Sequence, residues 1–406
     1  MTSSRFKPMS LLLIIALGAL FAACGQAATS SGGVTGSITY WMYQVNPNLA
    51  TEMQTLKGQF ESSHPGTTIN IVLVPKDDFN TKLATSLATG TQPDASMLDQ
   101  TLVAKYAGAG STAQVPDGLI NKADFFPNPL ATNLYNNALY GLPVDQVCVA
   151  LYYNKDLLPA APTTWAEMLA DAQKVYNPGK QIAAVSFPTS GGYAGWVFPA
   201  FVNQAGGTML NEQNKQITFA DKPGVDALTY LKQLYSYSPS NIVGATNSFA
   251  TGHVAMLVSG PWEISGFQQN FPDLHWGAAL LPKGVQDGTN IGGENNVVYK
   301  QSKNQALAWQ WLKFLTGKDA NRQFNDADGQ FPINVNSGAL DSGDPTANAI
   351  FAKQLNSAQA RPTNANWLTI NDNVIGKAVE NALLNGQDPQ TVLNAALTQA
   401  KTILGW

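Results

Sequence analysis

Arginine is nearly absent from this 406-residue chain, occurring only at Arg5, Arg322 and Arg361. Charged residues of every kind make up 12%, about half the usual share. There is no run of basic residues, so the clustered charge that neutralises a phosphate backbone is missing and no nucleic-acid partner is expected. Histidine is sparse (His64, His253, His275), and cysteine is limited to Cys24 and Cys148. Neither a CxxC nor an HxxxH spacing exists, which removes the usual zinc patterns; no metal and no cofactor is expected. Long apolar runs are lacking as well. Leu11–Ala23 is 13 residues, short of the roughly 20 that span hydrocarbon. What is present is a composition 44% hydrophobic and 10% aromatic, with a net charge of −4. That supports real cores, and the length suits two or three domains.

The first seven residues carry Arg5 and Lys7 and no acid, and the apolar run follows them. This is the layout of an export signal. The run ends Phe21-Ala22-Ala23-Cys24-Gly25, which resembles the bacterial lipobox, with Phe21 in place of the usual aliphatic residue. The resemblance implies removal of residues 1–23 and a lipid on Cys24 that holds the protein to a membrane. Residues 24–36 then form a flexible tether of small polar residues. Cys148 is left without a partner, and its neighbours Val147, Val149 and Leu151 mark it as buried and unreactive.

In the body of the chain, Ser37–Met42 and Thr68–Val74 have strand character, and Thr51–Ser62 places Met53, Leu56 and Phe60 on one helical face. Phe79–Thr89 is a second helix, and Asp94–Leu98 a short strand. Val147–Tyr153 and Val254–Val258 are further strands; Thr164–Val175, Pro223–Tyr235, Asn304–Leu315, Asn364–Leu384 and Pro389–Leu404 are helices. Thr164 and Glu167 form a capping box at one helix start. The alternation predicts an α/β protein with mostly parallel sheets flanked by helices, and no short repeat suggests a solenoid.

At this level of detail the chain resembles the extracellular solute-binding proteins of bacterial ABC sugar importers, the maltodextrin-binding type (family 1). The resemblance is carried by short motifs in order. They begin with Phe60…His64-Pro65-Gly66, Lys82-Leu83…Gly90…Pro93-Asp94, Tyr140-Gly141-Leu142-Pro143-Val144-Asp145 and Leu151-Tyr152-Tyr153-Asn154-Lys155-Asp156-Leu157. Pro162-Thr163-Thr164-Trp165-Ala166-Glu167-Met168, Phe249…Gly252-His253-Val254-Ala255-Met256 and Gly260-Pro261-Trp262 follow. Leu281-Pro282-Lys283-Gly284, Gly292-Gly293, and Ser302-Lys303-Asn304 with Trp311-Leu312-Lys313-Phe314-Leu315 complete the set. The resemblance implies a two-lobe, periplasmic-binding-protein-like fold (type II) with a hinge. One lobe would be 37–146 plus 294–337, the other 147–293 plus 338–406. It also implies a monomer outside the cytoplasm that closes around a ligand and hands it to the transmembrane subunits of a permease.

Sugars present apolar faces and a rim of hydroxyls, so aromatic rings together with Asp, Glu, Asn and Gln are the side chains to look for. By the resemblance Trp262, after the strand Val254–Val258, stacks on a sugar ring, and Trp196, in a glycine-rich loop with Tyr193 as a weaker alternative, is a second contact. Asp145 and Gln146 stand at the first crossover, Glu294 and Asn295 at the second. Tyr43 with Gln44, and Asp99 with Gln100, end strands where a crevice forms. Trp367 is a further candidate for a sugar face. Ser190-Gly191-Gly192 and Gly206-Gly207 lack the following Gly-Lys-Ser/Thr of a phosphate loop. Asp77-Asp78 reads as an exposed helix start, and Trp309 and Trp311 as core.

Carboxylates and phosphates are gripped by forked guanidinium groups. With only Arg322, expected on the surface, and Arg361 after the leader, a neutral mono- or oligosaccharide is the expected ligand rather than a glycerol phosphate. A glycoside hydrolase is the competing class. It would need two carboxylates about 5–10 Å apart, and Asp145 with Glu294 is the available pair.

Overall fold

The computed structural model describes residues 34–44 and 47–406, so the leader, Cys24 and most of the tether lie outside the described residues. The apolar strand runs pair into two main sheets. The first has the order Thr67–Pro75, Gly36–Gln44, Ala95–Asp99, Glu294–Val298, Leu142–Pro143. Its first three strands run parallel, while Glu294–Val298 returns antiparallel with Glu294 opposite Asp99. The second has the order Trp276–Ala279, Ala150–Asn154, Val254–Ser259, Ala183–Ser186. Here only the last pair is parallel. The pairing is thus more mixed than the alternation predicted, because strands that enter from a crossover arrive without a right-handed helical connection and run the other way.

Helices cover both sheets. Pro47–Ser63 buries Met53, Leu56 and Phe60 as its spacing required. Phe60 packs edge-on against Trp311 with centroids 5.3 Å apart, and Trp309 and Trp311 are core residues of the first sheet. The second sheet packs on Gly191–Gln204, Lys222–Tyr235, Gly376–Leu383 and Pro389–Leu404, whose buried faces share one cluster. Thr164 Oγ1 accepts from the Glu167 amide at 3.2 Å, while Glu167 reaches back one residue further than a strict capping box and accepts from the Thr163 amide at 2.7 Å. Cys148 is fully buried among apolar side chains, and burial pushes its thiol well up.

The segments that join the sheets form a small ladder of their own. Gln146 and Phe331 exchange backbone bonds of 2.9 and 3.1 Å, and Val147 and Gly292 bonds of 3.0 and 2.8 Å. Because Gln146 and Val147 serve this ladder, the expected strand at Val147 begins only at Ala150. The expected single helix over 364–384 is also divided. Trp367–Ile370 leads into a π-turn, Asn371–Ile375, before Gly376–Leu383 continues. Among the described residues no helix is long and apolar enough to cross a membrane.

Candidate functional site

Where the ends of the two sheets face each other lies a cleft of about 480 Å³. On the first-sheet side it is charged. Asp99 ends its strand and Glu294 starts the neighbouring one, and the antiparallel register sets them opposite each other. Like charges so placed repel, and each carries its own cation. Lys76 Nζ lies 3.4 Å from Glu294 Oε1, and Arg361 Nη2 lies 3.2 Å from Asp99 Oδ2. Thr101 adds its amide at 2.8 Å and its hydroxyl at 2.5 Å to Asp99 Oδ1. Burial alone would raise Asp99, but Arg361 and the Thr101 donors outweigh it and hold the carboxyl below its usual range. Glu294 correspondingly raises Lys76, whose Nζ also sits 5.5 Å from the centre of the Tyr43 ring. Both shifts favour the charged forms of Asp99 and Lys76.

The second-sheet side is aromatic. The helix Gly191–Gln204 opens with Gly191-Gly192-Tyr193-Ala194-Gly195-Trp196, which places Tyr193 and Trp196 one turn apart on the cleft. Their rings stack at 5.8 Å and 22°, and Trp262 approaches Trp196 at 6.1 Å and Tyr193 at 6.3 Å. Glycine is needed at Gly195 because a Cβ there would collide with the Asn371 backbone carbonyl, and the Asn371 side-chain amide donates to the Gly192 carbonyl at 3.0 Å. Behind the rings, Ser259 Oγ and Trp262 Nε1 both donate to Glu263 Oε1, at 2.8 and 3.2 Å, and Tyr193 Oη lies 3.4 Å from Ser259. This network fixes the ring planes. Burial raises the Tyr193 hydroxyl to about 12, so it stays a neutral donor.

The crossovers form the floor. Gly293 has φ +133°, and a Cβ there would meet Asp145 O at 2.5 Å, so only glycine lets the two crossovers lie this close. Asp145 is fully buried beneath it; its Oδ1 accepts from the Glu294 amide at 2.9 Å, and burial, with Glu294 and Asp328 nearby, pushes its carboxyl well up. Burial followed by Glu294 raises Asp328 to about 7. A second cavity of about 580 Å³ adjoins the cleft at Trp262 and Gln330, which line both.

Of the residues that the sequence suggested, Asp99, Trp196, Trp262 and Glu294 line the cleft together. Trp196 does so from the helix itself, not from a loop ahead of it. Others do not line it. Tyr43 is buried edge-on against Phe79 at 4.4 Å. Gln100 and Gln146 are buried, donating to the carbonyls of Gly292 at 3.1 Å and Pro332 at 2.7 Å, and they brace the crossovers. Asn295 faces away from Glu294, as successive strand residues must, and is buried with Thr132 and Asn133 at 2.9 Å. Trp367 is fully buried in the second core; the next residue, Leu368, reaches the cleft instead. The side chain of Gln44 lies outside the described residues.

Sequence reasoning missed Lys76, Arg361, Leu368, Asn371 and Asp372, all of which line the cleft. Lys76 directly follows an apolar strand, a signal that could have found it. Arg361 has no local signal. Arg322 is on the surface as expected, paired with Asp341 at 3.1 Å.

A family model described as bacterial extracellular solute-binding protein matches residues 46–322. A Brucella abortus protein, named as a binding protein, is 27% identical over 95% of this chain and 97% of its own length. A maltooligosaccharide ABC transporter solute-binding lipoprotein of Streptococcus pneumoniae is 24% identical over 79% of this chain and 78% of its own. Among solved structures, an ABC substrate-binding protein from Listeria monocytogenes in complex with cycloalternan matches with a TM-score of 0.80 at 22% identity. That match covers 92% of this chain and all of the other, and is a likeness of fold.

Proposed function

The chain belongs to the bacterial extracellular solute-binding proteins, and from that premise we propose that it captures a neutral oligosaccharide, an α-glucan first, for an ABC importer. The observation that carries this reading is the pairing of walls: three aromatic rings on one side of the cleft and two closed ion pairs on the other. Rings suit the C–H faces of a sugar. Ion pairs offer charged donors and acceptors to hydroxyls while cancelling each other's charge, and the remaining cleft carboxylate, Asp372, accepts from the Asn371 amide, so no unpaired cation stands ready for an anionic ligand. Arg361 stands in the wall, but Asp99 already takes its charge. A hydrogen bond to a charged group contributes about 1.5–3 kcal/mol, so a few of them with stacking reach micromolar affinity, about −8 kcal/mol. The name of the pneumococcal relative supports an α-glucan ligand.

In this reading the lobes are 37–146 plus 294–337 and 147–293 plus 338–406, and the ladder at Gln146, Val147, Gly292 and Phe331 is the hinge. Cys24, lipidated, would hold the protein at the membrane beside the permease. The test is a titration of the full chain in mild detergent with neutral oligosaccharides, following tryptophan fluorescence, with the sugar analysed afterwards. Saturable binding with intact sugar is expected. Cleaved sugar would replace the proposal with a glycoside hydrolase, and silence would exclude the neutral ligand class.

A further inference from the structure

We infer that Arg361 is the end wall of the ligand cleft and sets the length of the chain it accepts, an inference that rests on the oligosaccharide reading above. On the far side of Arg361 lies another cavity, of about 260 Å³, which Asn203, Asn290 and Pro362 help to line. Arg361 is the one described residue that lines both this cavity and the cleft. Thr208 and Glu212, also in its lining, are exposed, so the far cavity reaches the protein surface. Arg361 therefore stands between the cleft and a second way out.

The partition is held firmly. Arg361 is 7% exposed and tied to Asp99 at 3.2 Å. Its backbone follows Ala358–Gln359, which pairs with Thr289–Asn290 beside the second crossover, and Pro362 restricts it from the other side. The chemistry at the partition is unfinished. Arg361 Nε, a donor, is buried without a partner in the chain, and Asn290 Oδ1, an acceptor in the lining of the far cavity, is likewise unpartnered. Such groups cost free energy until they are satisfied, and a sugar hydroxyl both donates and accepts. The terminal ring of an oligosaccharide carries a free hydroxyl where an internal ring carries its next glycosidic bond. A donor-bearing end wall therefore accepts a chain end and blocks a chain that continues.

The experiment titrates the full chain in mild detergent with maltose through maltoheptaose, for the wild type, Arg361→Ala and the double variant Asp99→Asn/Arg361→Ala. The double variant leaves no carboxylate unbalanced, and circular dichroism with thermal melting checks that each variant is folded. The wild type is expected to discriminate against the longest chains. Both variants should shift the long-to-short affinity ratio at least tenfold towards long chains. A ratio unchanged from wild type, or an equal loss at every length, overturns the inference while leaving the oligosaccharide reading in place. A wild-type protein silent to the whole series overturns both.

Discussion

Where the first sheet meets the cleft it presents charge, and where the second meets it the surface is made of rings. The charged wall is a product of register: Asp99 and Glu294 are cross-strand neighbours, and their repulsion is answered by Arg361 and Lys76. The aromatic wall is a product of close packing. Gly195 lets the start of one helix settle onto the π-turn at Asn371, and Tyr193 and Trp196 are thereby aimed at Trp262. The difference teaches that charge set by strand register and rings set by helix packing reach one cleft by independent routes, so each wall can be altered without the other.

The comparison breaks most visibly at Trp262. Replacing it with alanine should weaken sugar binding by about ten- to a hundredfold, the range of a truncated aromatic hot spot. Its ring is 37% exposed, so the melting temperature should hardly change. Calorimetric titration showing unchanged affinity would take Trp262 out of the site. A step smaller, Glu294→Gln keeps the shape but removes a charged acceptor, and about a tenfold loss is expected. A larger loss here than at Trp262 would invert the ranking of the walls.

The smallest effect concerns the acidic floor of the charged wall. Burial holds the Asp328 carboxyl at about 7, so the folded chain keeps a proton that the unfolded chain releases in the ordinary carboxylate range. That contribution to stability is complete below the ordinary range and is lost as pH rises through about 7. Wild-type protein should gain about 1 kcal/mol on acidification from pH 7 to 6 relative to Asp328→Asn. Parallel melting curves for the two proteins across that interval would contradict the assignment.

Much of the fold was legible because apolar periodicity is local. Met53, Leu56 and Phe60 could face only one way, and Trp309 and Trp311 belonged to a helix with a single buried stripe. Among the cleft-lining residues, Asp99 and Trp262 were legible from their places after strands, and Glu294 from the resemblance that put a crossover after Gly292-Gly293. Trp367 was misplaced because neighbouring helical residues point about 100° apart, and packing against the second core decided that Leu368 faces the cleft. Asn295 was lost to the twofold alternation of its strand.

The sequence by itself determined the buried helix faces, the helix start at Thr164, and the scarcity of arginine that points to a neutral ligand. Only the tertiary structure decided which cations enter the cleft. Lys76 meets Glu294 across 218 positions of chain, and Arg361 meets Asp99 across 262. Pairs so distant leave no trace in local spacing, because sheet register and the chain crossovers, not sequence neighbours, bring their charges together.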